Sequence, residues 1–319
     1  MKALRFENDK LSVAEIRLPQ TNGEALVRVL QSGICNTDLE IVRGYAGFSG
    51  TVGHEFVGVV ETALNAPHLV EKRVVGEINV GCAACALCRA GDSRHCSRRT
   101  VLGIHNRDGA HAEFLILPAT NLLTVDDSVT NEQAVFTEPL AAAYGITEQI
   151  EIAPETRIAV VGDGKLGILC AWSLALKSRY VFLVGKHADK LKIAATGGAI
   201  ETVLLADAEK LNRSFDVAVE ASGAESGFAT ALDLLRPRGK LILKSTFQGA
   251  PRWTPTRVVV DEITIVGSRC GKFAPALRLL AEKKIPVENL VSDRYSLSDG
   301  VKAMERATEK GVLKVLLEP

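Results

Sequence analysis

The run Gly162-Asp163-Gly164-Lys165-Leu166-Gly167 constrains the fold of this 319-residue chain more than any other feature. It reads G-x-G-x-x-G. It follows an apolar run, Arg157 to Gly162, and opens a helix-like stretch of apolar and small residues, Leu166 to Lys177. In that context the first glycine permits a tight turn. The second lets backbone approach a pyrophosphate, and the third lets helix and strand pack closely. The helix N-terminus then offers amide donors and a positive dipole end to the phosphates. The competing reading is an ordinary glycine-rich turn. Further strand-like runs follow at Tyr180 to Gly185, Phe215 to Glu220, Lys240 to Lys244 and Glu262 to Val266. Strands separated by helical stretches predict an α/β fold with a parallel, doubly wound sheet.

The second strand ends in Val184-Gly185-Lys186-His187. An NAD site usually carries an acidic residue there, on the ribose hydroxyls. Gly185 replaces that acid, and Lys186 and His187 follow it directly. A carboxylate would repel a 2′-phosphate, whereas Lys186 can pair with one, so NADP(H) is expected over NAD(H). The competing reading is a solvated strand end. Ser222, at the end of the strand reaching Glu220, is expected to border the nicotinamide side, because ligands bind at the carboxyl ends of such strands.

The first part of the chain has a different texture. Ala25 to Gln31 and Glu55 to Glu61 read as strands punctuated by glycine and proline. A chain of this length is comfortable as two domains. Lysine plus arginine and aspartate plus glutamate number 38 each. A zero net charge leaves no footprint for nucleic acid or an anionic membrane. No apolar run approaches the roughly 20 residues that span a bilayer, and the N-terminus lacks the apolar segment of a secretory signal. These features read as a cytoplasmic protein.

Four cysteines, Cys82, Cys85, Cys88 and Cys96, follow the pattern C-x2-C-x2-C-x7-C. Four thiolates on so short a loop match the tetrahedral set of a structural zinc; disulfides are the competing reading. Cys35, His54, Glu55 and Glu138 are further candidate ligands, and a catalytic zinc takes about three protein ligands and keeps one position open. Singly, each could equally be a core cysteine, a satisfied core histidine or a helix-start carboxylate.

Together these motifs resemble the zinc-dependent medium-chain dehydrogenases. Cys35-Asn36-Thr37-Asp38, Gly53-His54-Glu55-Phe56-Val57-Gly58, the four-cysteine lobe, Glu138-Pro139-Leu140-Ala141 and the glycine-rich turn occur in that family's order. The resemblance implies a GroES-like, mostly β catalytic domain around a Rossmann domain. The expected bounds are 1–145 with a zinc lobe at about 81–97, then 146–267 for the Rossmann domain, and 268–319 returning to the first. It implies two zinc ions per subunit. Cys35 and His54 look like ligands of the catalytic ion, with Glu55 or Glu138 completing the set. In this chemistry zinc acts as a Lewis acid on the substrate oxygen while hydride passes to the nicotinamide. Thr37 is expected to take the alcohol proton, and Asp38 to orient His54.

Glu40 stands where many family members carry a relay histidine, so the relay is expected to end in Glu40 or water. That replacement favours a polyhydroxylated substrate. Arg269, after the last Rossmann strand, is a candidate cofactor contact; Tyr45, Phe48 and His105 are candidate cleft residues. The implied protein is an NAD(P)-linked alcohol dehydrogenase acting on a small alcohol or carbonyl, such as a polyol, sugar or other secondary alcohol. It is expected as a homo-oligomer, a dimer or tetramer. The rivals are a zinc-free quinone or enoyl reductase, and a non-catalytic NADPH-binding protein on the same scaffold.

Overall fold

A computed structural model of the chain describes residues 1–246 and 255–319. It divides into two compact units. One comprises Met1–Glu138, Phe273–Glu282 and Val291–Pro319; the other comprises Pro139–Lys272 and Lys283–Leu290. The second unit thus begins at Pro139 rather than at 146, and it takes Lys283–Leu290 out of the returning segment.

The second unit carries a six-stranded parallel sheet. Its order across the sheet is Ile200–Leu204, Tyr180–Gly185, Arg157–Val161, Phe215–Glu220, Leu235–Leu243 and Thr264–Gly267. Counted in chain order this is 3-2-1-4-5-6, the doubly wound dinucleotide-binding arrangement. The edge strand Ile200–Leu204 has no counterpart among the strands expected from sequence. Its exposed and half-buried residues give no apolar run to read. The strands beside it are buried throughout or nearly so, as a sheet covered on both faces requires. Phe182 and Phe215 meet edge to face at 5.1 Å in the core. Helix Lys165–Ala175 is buried from Gly167 to Leu174, and Cys170 is a core residue on it.

Strand order reverses between Arg157–Val161 and Phe215–Glu220, which is where such sheets open a crevice. Gly162, with φ +125°, leaves the first of these strands beside the end of the second. A Cβ there would stand 2.5 Å from the Ala221 carbonyl oxygen. A Cβ on Gly167 would meet the Gly162 carbonyl oxygen at 1.9 Å. Both glycines are therefore dictated by backbone contact.

The first unit is mostly β. Its larger sheet runs Leu122–Thr124, Arg73–Gly76, Glu55–Thr62, Ala25–Gly33, Lys314–Glu318 and Val291–Ser296, with Phe114–Leu117 also paired to Ala25–Gly33. The chain's last strand lies antiparallel to Ala25–Gly33, pairing Leu316 with Gly33 and Leu317 with Ser32. Ile34 N donates to Val315 O at 3.0 Å. The end of the chain therefore braces the segment that carries Cys35. A cluster that includes Leu4, Phe6, Ile34, Ile41, Phe48 and Leu317 forms a core, with Tyr45 packed against it. Phe48 is thus a core residue, while His105 is exposed. No described helix is long and apolar enough to cross a membrane.

Candidate active site and cofactor cleft

Strand Ala25–Gly33 delivers Cys35 to the start of helix Asn36–Val42. Asp38 Oδ2 accepts from Cys35 N at 2.8 Å, and Asp38 Oδ1 accepts from Gly53 N at 3.2 Å. One carboxylate thus ties the Cys35 loop to the Gly53-His54-Glu55 segment. Gly53 has φ +97°, and a Cβ there would stand 2.5 Å from the His111 ring. No other residue combines that backbone with that contact.

The donor atoms of Cys35, His54 and Glu55 lie within 4.8 Å of one another. His54 and Glu55 are buried. Glu55 Oε2 accepts from the buried Lys314 ammonium. Glu55 Oε1 is buried with no hydrogen-bond partner. A thiol, an imidazole and a partnerless carboxylate oxygen converging in one place fit a divalent zinc ion, because an orphaned buried acceptor calls for a cation. Glu138, at the start of helix Thr137–Tyr144, lies outside that 4.8 Å set. It still senses it: burial pushes the Glu138 carboxyl up to about 7, while His54 and Lys314 pull down and Glu55 and Glu77 push up.

Behind the donors, His54 Nδ1 lies 3.3 Å from Asp38 Oδ1 and His111 Nε2 lies 3.6 Å from Asp38 Oδ2. Ser32 Oγ and His111 Nδ1 are 2.8 Å apart. Burial would raise the Asp38 carboxyl, but the two imidazoles hold it far below the usual range. Burial would likewise lower His54; Asp38 and Cys35 outweigh it and hold the ring well above its ordinary value in the metal-free chain. Sequence reasoning missed His111 and Lys314. His111 gave no usable signal, while Lys314 is a lone charge in an apolar strand, Lys-Val-Leu-Leu, which is a pattern that asks for a buried partner.

Thr37 Oγ1 lies 3.7 Å from Cys35 Sγ. Glu40 is engaged by Arg43 Nη1 at 2.8 Å, an ion pair within its own helix.

The sulfurs of Cys82, Cys85, Cys88 and Cys96 also lie within 4.8 Å of one another. Backbone amides of Ala84 and Cys85 bring the Cys82 thiol down to about 6. Arg98 Nη2 donates to its sulfur at 3.1 Å, and Arg98 N to Cys96 Sγ at 3.4 Å. A four-thiol donor set with its own amide donors fits a structural zinc.

In the second unit the glycine-rich turn and the ends of its neighbouring strands wall a cleft of about 300 Å³. Gly162, Gly164, Gly185, Lys186, His187 and Ser222 line it. A Cβ on Gly164 would meet nothing within 4 Å, so its backbone faces open space as a phosphate cradle requires. Lys165, Leu166 and Gly167 form the first turn of the helix that points at the cleft. Arg269 is exposed and is absent from the described lining; its carbonyl accepts from Lys244 Nζ at 3.2 Å. Asp163, Lys190, Ser226 and Thr230 line the cleft as well. None of these four was singled out from sequence.

Comparison with known proteins agrees with both halves. Residues 21–127 match the model of the alcohol dehydrogenase GroES-like domain, and residues 166–282 match that of the zinc-binding dehydrogenases. A sorbitol dehydrogenase from Halalkalibacterium halodurans is 31% identical over 92% of this chain and 91% of its own. A Sinorhizobium meliloti protein assigned to the zinc-binding dehydrogenases, solved with NADP, superposes with TM-score 0.90 at 26% identity, over 100% of this chain and 99% of its own. An alcohol dehydrogenase from Escherichia coli CFT073, solved with NADH, does so with TM-score 0.90 at 25% identity and the same coverage. The chain belongs to the zinc-dependent medium-chain dehydrogenase/reductase family. It is an oxidoreductase of the alcohol dehydrogenase type, linked to zinc and to a nicotinamide cofactor.

Proposed function

We propose that this protein is a two-zinc, NADP(H)-preferring dehydrogenase of polyols or related secondary alcohols. The observation that carries the reading is the convergence of Cys35, His54 and Glu55 with a partnerless Glu55 Oε1. Cys35, His54 and Glu55 are the residues that would hold the catalytic zinc. Glu138 is near enough to respond to their charges and is the candidate to exchange with Glu55. The four cysteines would hold the second ion. Bound zinc supplies Lewis acidity at the substrate oxygen, and the nicotinamide exchanges the hydride.

The chain's own residues do the rest. Asp38 fixes the orientation of His54 and, through the Cys35 and Gly53 amides, the spacing of the two loops. The Thr37 hydroxyl, beside Cys35, would relay the alcohol proton, accepting it as its own proton passes on toward the cofactor ribose. The turn from Gly162 to Gly167 binds the pyrophosphate through backbone amides. The two structural relatives carry NADP and NADH respectively, so the choice between them falls to this chain's own strand end. Gly185 followed by Lys186 and His187 favours the 2′-phosphate. The polyol assignment is supported by Glu40 in place of a relay histidine and by the sorbitol dehydrogenase relative.

An oligomer is supported at the edge strand Thr264–Gly267. Ile265 there is 37% exposed, and Val259 and Val260 just before it are each 73% exposed. Edge strands with apolar neighbours invite pairing. Light scattering on the purified protein tests this; a monomer at all concentrations would reject it.

The reading is tested by screening zinc-replete enzyme with sorbitol, erythritol, butanediols and simple secondary alcohols, using NADP+ and NAD+ in parallel. Turnover strongest on a polyol with NADP+ is expected. Turnover confined to simple alcohols, or absent with all of them, would reject the substrate assignment. A higher kcat/KM with NAD+ would reject the cofactor assignment.

A further inference from the structure

Asp163 is the variable residue between the first two glycines of the turn, and it is turned away from the phosphate cradle toward the second strand. A Cβ on Gly185 would stand 2.6 Å from Asp163 Cβ and 2.6 Å from Asp163 Oδ2. The Asp163 side chain therefore occupies the space that a side chain at position 185 would enter. A carboxylate still sits at this strand end, but it comes from the glycine-rich turn.

Its oxygens are not left for a ribose. Asp163 Oδ2 accepts from His187 N at 2.7 Å, and His187 Nδ1 lies 3.0 Å from Oδ2 and 3.1 Å from Oδ1. Asp163 is 8% exposed. With Nδ1 turned to the carboxylate, the imidazole has Nε2 left for a ligand. Lys186, His187 and Lys190 are the basic side chains in the cleft lining, and Asp163 is its one acidic member among the described residues.

We propose that Asp163 is a positioning residue: it clamps His187 at the strand end, so that His187, Lys186 and Lys190 together form a subsite for the 2′-phosphate of a dinucleotide. This rests on the NADP(H) reading above. With Nδ1 held on the carboxylate, His187 has Nε2 to offer a ligand, and Lys186 and Lys190 line the same cleft. The carboxylate itself is shielded by the ring it holds. Without that shield, a carboxylate at this place would select for a free 2′-hydroxyl, as the acidic residue of an NAD site does. The same residue type at the same place thus serves the opposite specificity, because its partner has changed. Specificity here combines an attractive subsite with removal of a repulsive one.

The test is binding, read without turnover. Dissociation constants for NADPH, NADH, 2′,5′-ADP and 5′-AMP are measured by calorimetry on zinc-replete wild type, Asp163→Asn, His187→Ala, Asp163→Asn/His187→Ala and Lys190→Ala. Circular dichroism confirms folding of each variant. The wild type is expected to bind 2′,5′-ADP at least tenfold tighter than 5′-AMP. Asp163→Asn is expected to shrink that ratio at least fivefold. The double variant is expected to be little worse than His187→Ala alone, the non-additivity of residues acting as a unit. Lys190→Ala is expected to shrink the ratio independently, and it serves if the Asp163 variant does not fold. A wild type with no preference for 2′,5′-ADP overturns the NADP(H) reading and this subsite together. A wild type that prefers 2′,5′-ADP, with the ratio unmoved in Asp163→Asn or in Lys190→Ala, overturns the subsite alone. Asp163→Asn weakening NADH and 5′-AMP more than NADPH would make Asp163 a direct ribose ligand and also overturn it.

Discussion

Replacing Lys314 with methionine isolates a fully buried ion pair at the candidate active site. Lys314 and Glu55 are both fully buried; the ammonium donates to Glu55 Oε2 and to Ile34 O. Removing one partner of a buried ion pair costs about 3–5 kcal/mol, because the remaining charge is uncompensated. The ammonium also lies 5.4 Å from the Phe136 ring centroid, a contact worth about 0.5–2 kcal/mol. The zinc-free first unit is then expected to lose roughly 3.5–7 kcal/mol. At about 2–4 °C per kcal/mol for a domain of 150–250 residues, that is roughly 7–28 °C in Tm. Zinc offers Glu55 another cation, so added zinc should recover part of the loss. Glu55→Gln/Lys314→Met replaces the pair by groups without charge and should be more stable than Lys314→Met alone. Calorimetric unfolding of the three proteins, with and without zinc, reads all of this. A shift under about 2 °C in zinc-free Lys314→Met, or a double variant no more stable than the single one, would refute the reasoning.

Gly53→Ala combines a left-handed backbone with a Cβ 2.5 Å from the His111 ring; a stability loss above about 2 kcal/mol is expected, read by urea unfolding. Asp38→Asn removes the charge that faces His54 and His111 and should weaken zinc at the Cys35 site about 10–100-fold, measured by competition with a chromophoric chelator. Asp261 accepts from Arg213 at 2.9 and 3.1 Å and from Arg257 at 3.2 Å, contacts that depress its carboxyl, Arg213 foremost. A depressed folded pKa contributes stability above the unfolded value of about 3.9 and loses it as pH falls through the folded value. Asp261→Asn should therefore lower Tm at pH 7, with the gap closing on acidification below about pH 4; a gap constant with pH would contradict this.

Much of this was legible because the chemistry is local. The glycine-rich turn lies between one strand and one helix, and the four cysteines span one loop, so spacing alone announces them. The strands Tyr180–Gly185 and Phe215–Glu220 were readable to the residue because burial on both faces demands mostly apolar runs. The edge strand Ile200–Leu204 has solvent on it and carries no such run. Cys35, His54, Glu55 and Glu138 stood out in the sequence as a candidate donor group, but spacing could not choose Glu55 over Glu138. The fold favours Glu55 by seating it with Cys35 and His54 and leaving Oε1 partnerless. Lys314 and His111 reach the site across 259 and 57 residues from Glu55 and His54, through sheet pairing that no local pattern encodes. Asp163 was hidden for another reason: it is a variable position of its motif, and its meaning depends on the missing side chain at Gly185.

Zinc content per chain in wild type and Cys35→Ala, with dinucleotide binding measured on the same samples, tests the central claim most directly. Two zinc ions falling to one, with cofactor binding retained and turnover lost, is the expected result for separate four-cysteine and Cys35–His54–Glu55 sites. One zinc in both proteins after zinc has been added back, or turnover unchanged in Cys35→Ala, would contradict it.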